Sequence, residues 1–249
     1  MHCAPSLIEH IPLHRRQLRK TGKMTISPQV QMADVDEMYL VHTMLRREFS
    51  LLPDLIRGAG RDPDRRARIG AHAQLLCQIL HSHHESEDLI LWPLLLERAE
   101  AEATEIVAVM EEQHHAIAAA HDEVMHRLDD WCRFGRDREG FARVLDDLIW
   151  VMTEHTALEE KAVLPLAEKY VTAAEWQQMG QHGMDTFQKR LLPLAFGMLM
   201  YEGDPAVIRR TLSNVPLPAR LLIPIIAPRA FSRHARRVYG TATPPKITA

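Results

Sequence analysis

Four stretches of this chain carry apolar residues spaced alternately three and four apart, and in each a histidine stands where an apolar residue is due. The first stripe reads Val35, Met38, His42, Leu45, Phe49 and Leu52, and the second Leu76, Ile79, His83, Glu87, Ile90 and Leu94. The third reads Val107, Met110, His114, Ile117, His121, Val124 and Leu128, and the fourth Leu145, Leu148, Met152, His155, Glu159, Ala162 and Leu166. Such spacing keeps side chains on one face of an α-helix. Four such faces are buried together when helices pack as an antiparallel up-down four-helix bundle, so the expected fold class is all-α. The arms are expected at about 30–57, from the turn at Arg61-Asp62-Pro63-Asp64 to about 99, at about 101–132 and at about 141–170, with Gly58-Ala59-Gly60 and the stretch 134–140 as punctuation. Only 11 glycines and no sustained apolar/polar alternation exclude an all-β chain.

The stripes repeat at an offset of 72. His42 maps to His114, His83 to His155, Glu87 to Glu159 and Pro93 to Pro165. With 15 histidines in 249 positions a single His-on-His match is a common accident, and several at one offset are not. His-x-x-x-Glu sets two side chains one turn apart on one helix face, about 40° from each other. Two such pairs plus His42 and His114 bring four imidazoles and two carboxylates to the bundle axis, where burial is costly without compensation. Two divalent metals, each taking two histidines and sharing the two carboxylates, satisfy all six: His42, His83, Glu87, His114, His155 and Glu159. Nitrogen and oxygen donors with positions left open suit iron or manganese in a non-haem dinuclear centre.

Neighbouring residues carry plainer readings. A lone core histidine is more often hydrogen-bonded packing than a ligand. Asp88 and Glu160 lie one residue beyond each pair and turn about 100° from its face, so Glu87 and Glu159 are preferred. Glu85 reads as solvated charge. His84, beside His83, is a candidate auxiliary ligand. His121 fits core hydrogen bonding, while His72, His81, His115 and His126 fit the surface or rim. A ferritin-like site needs two Glu-x-x-His motifs, and only Glu111-x-x-His114 is well placed.

Across residues 35–168 the pattern resembles the hemerythrin-like (HHE cation-binding) family: His42, His83-x-x-x-Glu87, His114 and His155-x-x-x-Glu159, with Leu91-Trp92-Pro93 and Leu164-Pro165 at the family's usual places. The resemblance implies a di-iron centre of two non-haem Fe ions, ahead of Mn or Zn, that binds dioxygen, peroxide or nitric oxide. Oxygen-carrying members have a further histidine four residues after the one matching His114, where this chain has Ala118. Their last motif ends in Asp five residues on, a place for which Glu160 competes with Glu159. The lost histidine implies an additional open position, hence reactivity or sensing. The pattern is closer to bacterial hemerythrin-like proteins and iron-sensing F-box hemerythrin domains than to blood oxygen carriers.

Charge divides the chain differently. Of a net −3, residues 205–249 carry +8 (seven Arg, one Lys, no acid) and residues 1–24 carry +4, which leaves −15 on 25–204. The expected organisation is a disordered basic tail over 1–29, the bundle over 30–170 and a basic, helical C-terminal extension over 171–249. Met24 is an alternative start. Leu221, Leu222, Ile223, Ile225 and Ile226 among the arginines favour docking onto the acidic body and leave peripheral membrane contact open. No nucleic-acid partner is expected.

Thr172 to Glu175 reads as a capping box opening a helix that reaches about 200 with a break near Pro193, and Asp204-Pro205 as the start of a short helix. A further helix is expected over about 218–238, interrupted at Pro224 and Pro228, with 241–249 disordered. No apolar run approaches the ~20 residues of a membrane span. Cys3, Cys77 and Cys132 offer neither a disulfide framework nor a CxxC site and fit a reducing cytoplasm. No triad, phosphate loop or organic substrate pocket is legible, and no catalytic residue is assigned. The functions left are catalase-like peroxide removal, small-ligand binding, or iron and oxygen sensing and buffering without turnover.

Overall fold

The computed structural model describes residues 30–185 and 187–247. The expectations for the N-terminal tail and for Met24 lie outside them.

Four arms form the bundle. The first is α1 (Asp36–Ser50) followed by α2 (Leu52–Arg57), whose first turn holds Pro53. The second is α3 (Pro63–Ser86) and α4 (Trp92–Arg98), and the third is α5 (Glu100–Phe134). The fourth is α6 (Arg138–Leu158) and α7 (Leu164–Tyr170). Local chemistry sets these ends: the Asp62 carboxylate accepts from the N–H groups of Asp64 and Arg65 to start α3, and Gly135, at φ 63°, stops α5 in a conformation costly to other residues. The 134–140 loop is shorter than expected, because α5 runs through Phe134 and α6 starts at Arg138.

Arms two and four each contain a five-residue π-helical turn, Glu87–Leu91 and Glu159–Val163. The Trp92 N–H reaches back to the Glu87 carbonyl and the Leu164 N–H to the Glu159 carbonyl, five residues away. Pro93 and Pro165 follow directly; each lacks the N–H that an α-helical ladder needs. A π-turn adds one residue to the helix and moves its inward face by one position. The stripes expected to continue through Ile90 and Leu94, and through Ala162 and Leu166, continue instead through buried Leu91 and Leu95, and through buried Val163 and Ala167. Stripes one and three lie as expected, apart from a half-buried His121.

The extension comprises α8 (Ala173–Asp185), a 3-10 turn (Lys189–Leu191), α9 (Leu192–Glu202), α10 (Pro205–Ser213) and α11 (Leu217–Val238). The capping box holds: Glu175 N–H donates to Thr172 Oγ1 at 3.3 Å, and Thr172 N–H to Glu175 Oε2 at 3.0 Å. The expected break falls before Lys189, because Pro193 sits in the first turn of α9, where a missing N–H costs nothing. α11 runs unbroken through Pro224 and Pro228. It packs so closely on α9 that a Cβ at Gly197 would lie 2.3 Å from the Ala227 carbonyl oxygen. Residues 241–247, expected to be disordered, are tied down: Tyr201 Oη donates to the Pro244 carbonyl and Ile247 N–H to Glu202 Oε1, both at 2.8 Å.

The extension shares the bundle's core. Phe187, Met198, Phe231 and Ala235 join Leu45, Phe49, Leu76 and Leu80 in one apolar cluster. A buried polar network fastens it. Arg47 donates to Glu48 Oε1, to Glu202 Oε2 and to the Met198 carbonyl; Tyr239 Oη donates to Glu48 Oε2 at 2.5 Å and lies 2.7 Å from His72 Nε2. His72, placed at the surface or rim by sequence, is fully buried, because α11 covers it. Burial and the nearby Arg47 push its pKa down to about 3. Of the five aliphatic residues expected to be buried, only Ile223 is; Leu221, Leu222, Ile225 and Ile226 face outward.

Glu48→Ala would leave the Arg47 guanidinium buried with part of its compensation gone. A loss of roughly 3–5 kcal/mol of unfolding free energy is expected, measurable by denaturant titration. Tyr239→Phe, which removes one donor, should cost about 1–3 kcal/mol. A loss below 1 kcal/mol in Glu48→Ala would show that the network does not hold the extension in place.

Candidate metal centre

All six ligands expected from sequence converge at the bundle axis. One donor atom from each of His42, His83, Glu87 and Glu159 lies within 4.8 Å of the others, and the same holds for His84, Glu87, His114 and His155. Glu87 belongs to both groups. His42 Nε2 is 3.2 Å from His83 Nε2 and 3.1 Å from Glu159 Oε2. His114 Nε2 is 3.3 Å from both Glu87 Oε2 and His155 Nε2. Glu159 leans toward the first group, its Oε2 being 3.8 Å from His155 Nε2.

Backbone geometry explains the convergence. Each glutamate is the first residue of a π-turn, so the helix widens where its carboxylate must reach the axis. His84, in the last turn of α3 ahead of the π-turn, is also buried and stacks on His114 with ring centroids 4.2 Å apart. His83 lies on the flank. His84 of α3 makes a third imidazole beside His114 and His155.

A second layer of residues fixes the rings. His42 Nδ1 and Glu160 Oε1 are 2.9 Å apart, and Arg46 donates to that oxygen at 2.7 Å. His114 Nδ1 and Asp88 Oδ1 are 2.7 Å apart, and Trp92 Nε1 donates to that oxygen at 2.9 Å. His155 Nδ1 and Gln113 Oε1 are 3.2 Å apart. An outer Nδ1–H donated to oxygen leaves the Nε2 lone pair free to point inward, the tautomer a metal ligand needs. Asp88 and Glu160 were set aside as rotated off the ligating face; that rotation is what lets each reach a histidine on the neighbouring arm. The sequence held the signal, since Asp88 and Glu160 are themselves 72 apart. The partner of His84 at that offset is Thr156, which accepts from Arg46 instead.

Buried charge is concentrated at this site. Imidazole nitrogens of His42, His83 and His114 stand 3.1–3.3 Å from carboxylate oxygens of Glu159 and Glu87, His42 holds the Glu159 carboxyl down against burial, and His84 Nε2 has no hydrogen-bond partner among the described residues. Burial and the neighbouring Glu159 push the Glu87 carboxyl up to about 7. Burial works against charge on His42 and His114, yet Glu159 beside the first and Asp88 beside the second hold both up at about 9. Burial takes His83 down to about 3 and His155 to about 4. Two buried carboxylates among five imidazoles are the donor set of hard-to-borderline divalent cations, so the residues fit two such ions. Among the described residues no thiol takes part: Cys77 and Cys132 lie outside both donor groups.

The family model of the hemerythrin HHE cation-binding domain matches residues 33–167, more than half of the chain. The chain belongs to this family. No curated protein and no solved structure gives a significant match. The matched region covers the four arms and both ligand groups and stops before α8, so this hemerythrin-family chain adds its extension outside the shared domain.

Cation binding should relieve the buried carboxylates. At a free concentration of one hundred times Kd, a bound ion adds about 2.7 kcal/mol of stability, read as a rise in melting temperature with Fe(II), Co(II) or Mn(II). The rise should be lost in His83→Ala/His155→Ala. Asp88→Asn and Glu160→Gln, which loosen single rings, should lower affinity roughly 10- to 100-fold in calorimetric titration with Co(II). Unchanged affinity in both would remove their orienting role.

Proposed function

We propose that this protein holds two iron ions, one by His42, His83, Glu87 and Glu159 and the other by His84, His114, His155 and Glu87, and acts on dioxygen, peroxide or nitric oxide. The observation that carries the reading is the pair of buried donor groups sharing Glu87. When bound, the metal pair supplies Lewis acidity and a reversible change of oxidation state, which serves small-ligand binding or catalase-like peroxide disproportionation. The chain contributes orientation and shielding. Asp88, Glu160 and Gln113 set the tautomers, and the arms bury His42, His155 and both glutamates completely. The free thiols Cys77 and Cys132 fit a reducing cytoplasm.

Access to the first donor group supports the ligand class, while a separate polar cavity of about 1120 Å³ borders His84 and His114 of the second. A cavity of about 550 Å³ lies between α1, α3 and the extension and reaches His83, the least covered of the first group with 9% of its side chain exposed. Met38, Met44, Met184, Phe187 and Phe196 line it, and no Lys or Arg does. An apolar approach admits neutral diatomic molecules and peroxide in its uncharged form, and disfavours anions.

One observation favours a second reading, iron sensing or buffering without turnover. Burying two carboxylates costs the metal-free fold desolvation, so iron loading would itself shift stability by mass action.

Protein purified from iron-supplemented cells should hold close to two irons per chain and show in air a visible absorption that the metal-free chain lacks. One zinc, or no metal, would end the dinuclear reading. Peroxide consumption by the iron-loaded protein should exceed that of His83→Ala/His155→Ala at least tenfold. Equal rates would leave the binding reading standing and remove turnover.

A further inference from the structure

The outward face of α11 is unlike the rest of the surface. Leu217, Leu221 and Ile225 form one column along the helix and Leu222 and Ile226 the next, and all five are exposed, Leu217 at 66% and Leu221 at 63%. Their spacing of four is that of one helix face. The opposite face is the buried one, where Ile223, Ala227, Phe231 and Ala235 pack on the body. Exposed aliphatic residues scattered singly are ordinary, but five in ten residues on one face mark an interaction surface.

Charge says what kind. Directly after the apolar columns the same side of α11 carries Pro228, Arg229, Ser232, Arg233 and Arg236 around an open surface depression of about 430 Å³, with Arg229 also donating to the Ile225 carbonyl. Three guanidiniums and a hydroxyl around one depression match a phosphate group, to which arginine donates in a planar fork. Ile225 belongs to both features, so the phosphate-matching depression and the aliphatic face are continuous. No acidic residue occurs from 205 to the end of the chain. Aliphatic side chains beside a basic rim, on a helix too short in apolar length to cross a bilayer, are the pattern of a helix lying in the interface plane.

We propose that the outward face of α11 docks this protein on an anionic phospholipid surface, with Leu217, Leu221, Leu222, Ile225 and Ile226 entering the acyl boundary and Arg229, Arg233 and Arg236 taking headgroup phosphates. The docking is peripheral and independent of metal loading. The acidic body, −15 over residues 25–204, is repelled from such a surface, which orients the chain with α11 toward the lipid.

The test is co-sedimentation of the full chain with vesicles of phosphatidylcholine alone and of phosphatidylcholine with phosphatidylglycerol. Binding is expected only with phosphatidylglycerol and should weaken in high salt. Leu221→Glu/Ile225→Glu should lower partitioning at least tenfold, and each of Arg229→Gln, Arg233→Gln and Arg236→Gln roughly fivefold. These side chains are exposed, so an unchanged melting temperature checks that the variants are folded. Equal binding to both vesicle types, no binding to either, or binding unaffected by all the substitutions would overturn the proposal. So would inorganic phosphate binding at the arginine depression without vesicle binding, which assigns it to a free anion. A dimer in solution that Leu221→Glu/Ile225→Glu dissociates, without vesicle binding, would assign the face to a second copy and also overturn it.

Discussion

Two carboxylates buried at the bundle axis among five imidazoles are the constraint on which the rest depends. A glutamate shut away from water is tolerated when something positive meets it. Here Glu87 and Glu159 meet imidazole nitrogens of His114, His83 and His42 at 3.1–3.3 Å. The family's cation-binding chemistry suits such a donor set. Rings are pinned from outside by Asp88, Glu160 and Gln113, which turns the Nε2 atoms of His42, His114 and His155 toward the axis.

The two π-turns are the backbone's part in this. A regular helix continuing from His83 or His155 into Trp92-Pro93 or Leu164-Pro165 would lack an N–H where the ladder needs one. Widening the helix at Glu87 and Glu159 absorbs that defect and aims the carboxylate inward. The two repeats share this widening, and a sequence difference makes the centre asymmetric. At one repeat position His84 stacks on His114 and joins the second ligand group; at the other, Thr156 accepts from Arg46. The two donor groups therefore differ, three histidines with one glutamate against two histidines with two glutamates.

Outside the shared domain, the extension is fastened through a second buried polar network, Arg47–Glu48–His72–Tyr239. It closes one side of an apolar cavity that reaches His83 and presents its own apolar and basic face outward. Length, charge and periodicity told of helices and arginines here, but no motif told what they cover. Burial of His72 and exposure of Leu221 and Ile225 both follow from how α11 lies on α9 and α3, a relation between segments far apart in sequence.

The sequence by itself determined the bundle, the four repeated histidines and the two glutamates, because helical period and a 72-residue echo are local or additive properties of the chain. It also contained Asp88 and Glu160 in the same echo, unread because a single-helix wheel turns them off the ligating face. Only the tertiary structure decided that this rotation delivers them to the histidines of neighbouring arms. It alone placed His84 beside His114 and His155, and moved the stripes from Ile90 to Leu91 and from Ala162 to Val163. The physical reason for the moved stripes is that a wheel drawn at constant pitch cannot contain a π-turn. A ring's partner across the bundle is likewise set by packing, which no spacing along one helix records.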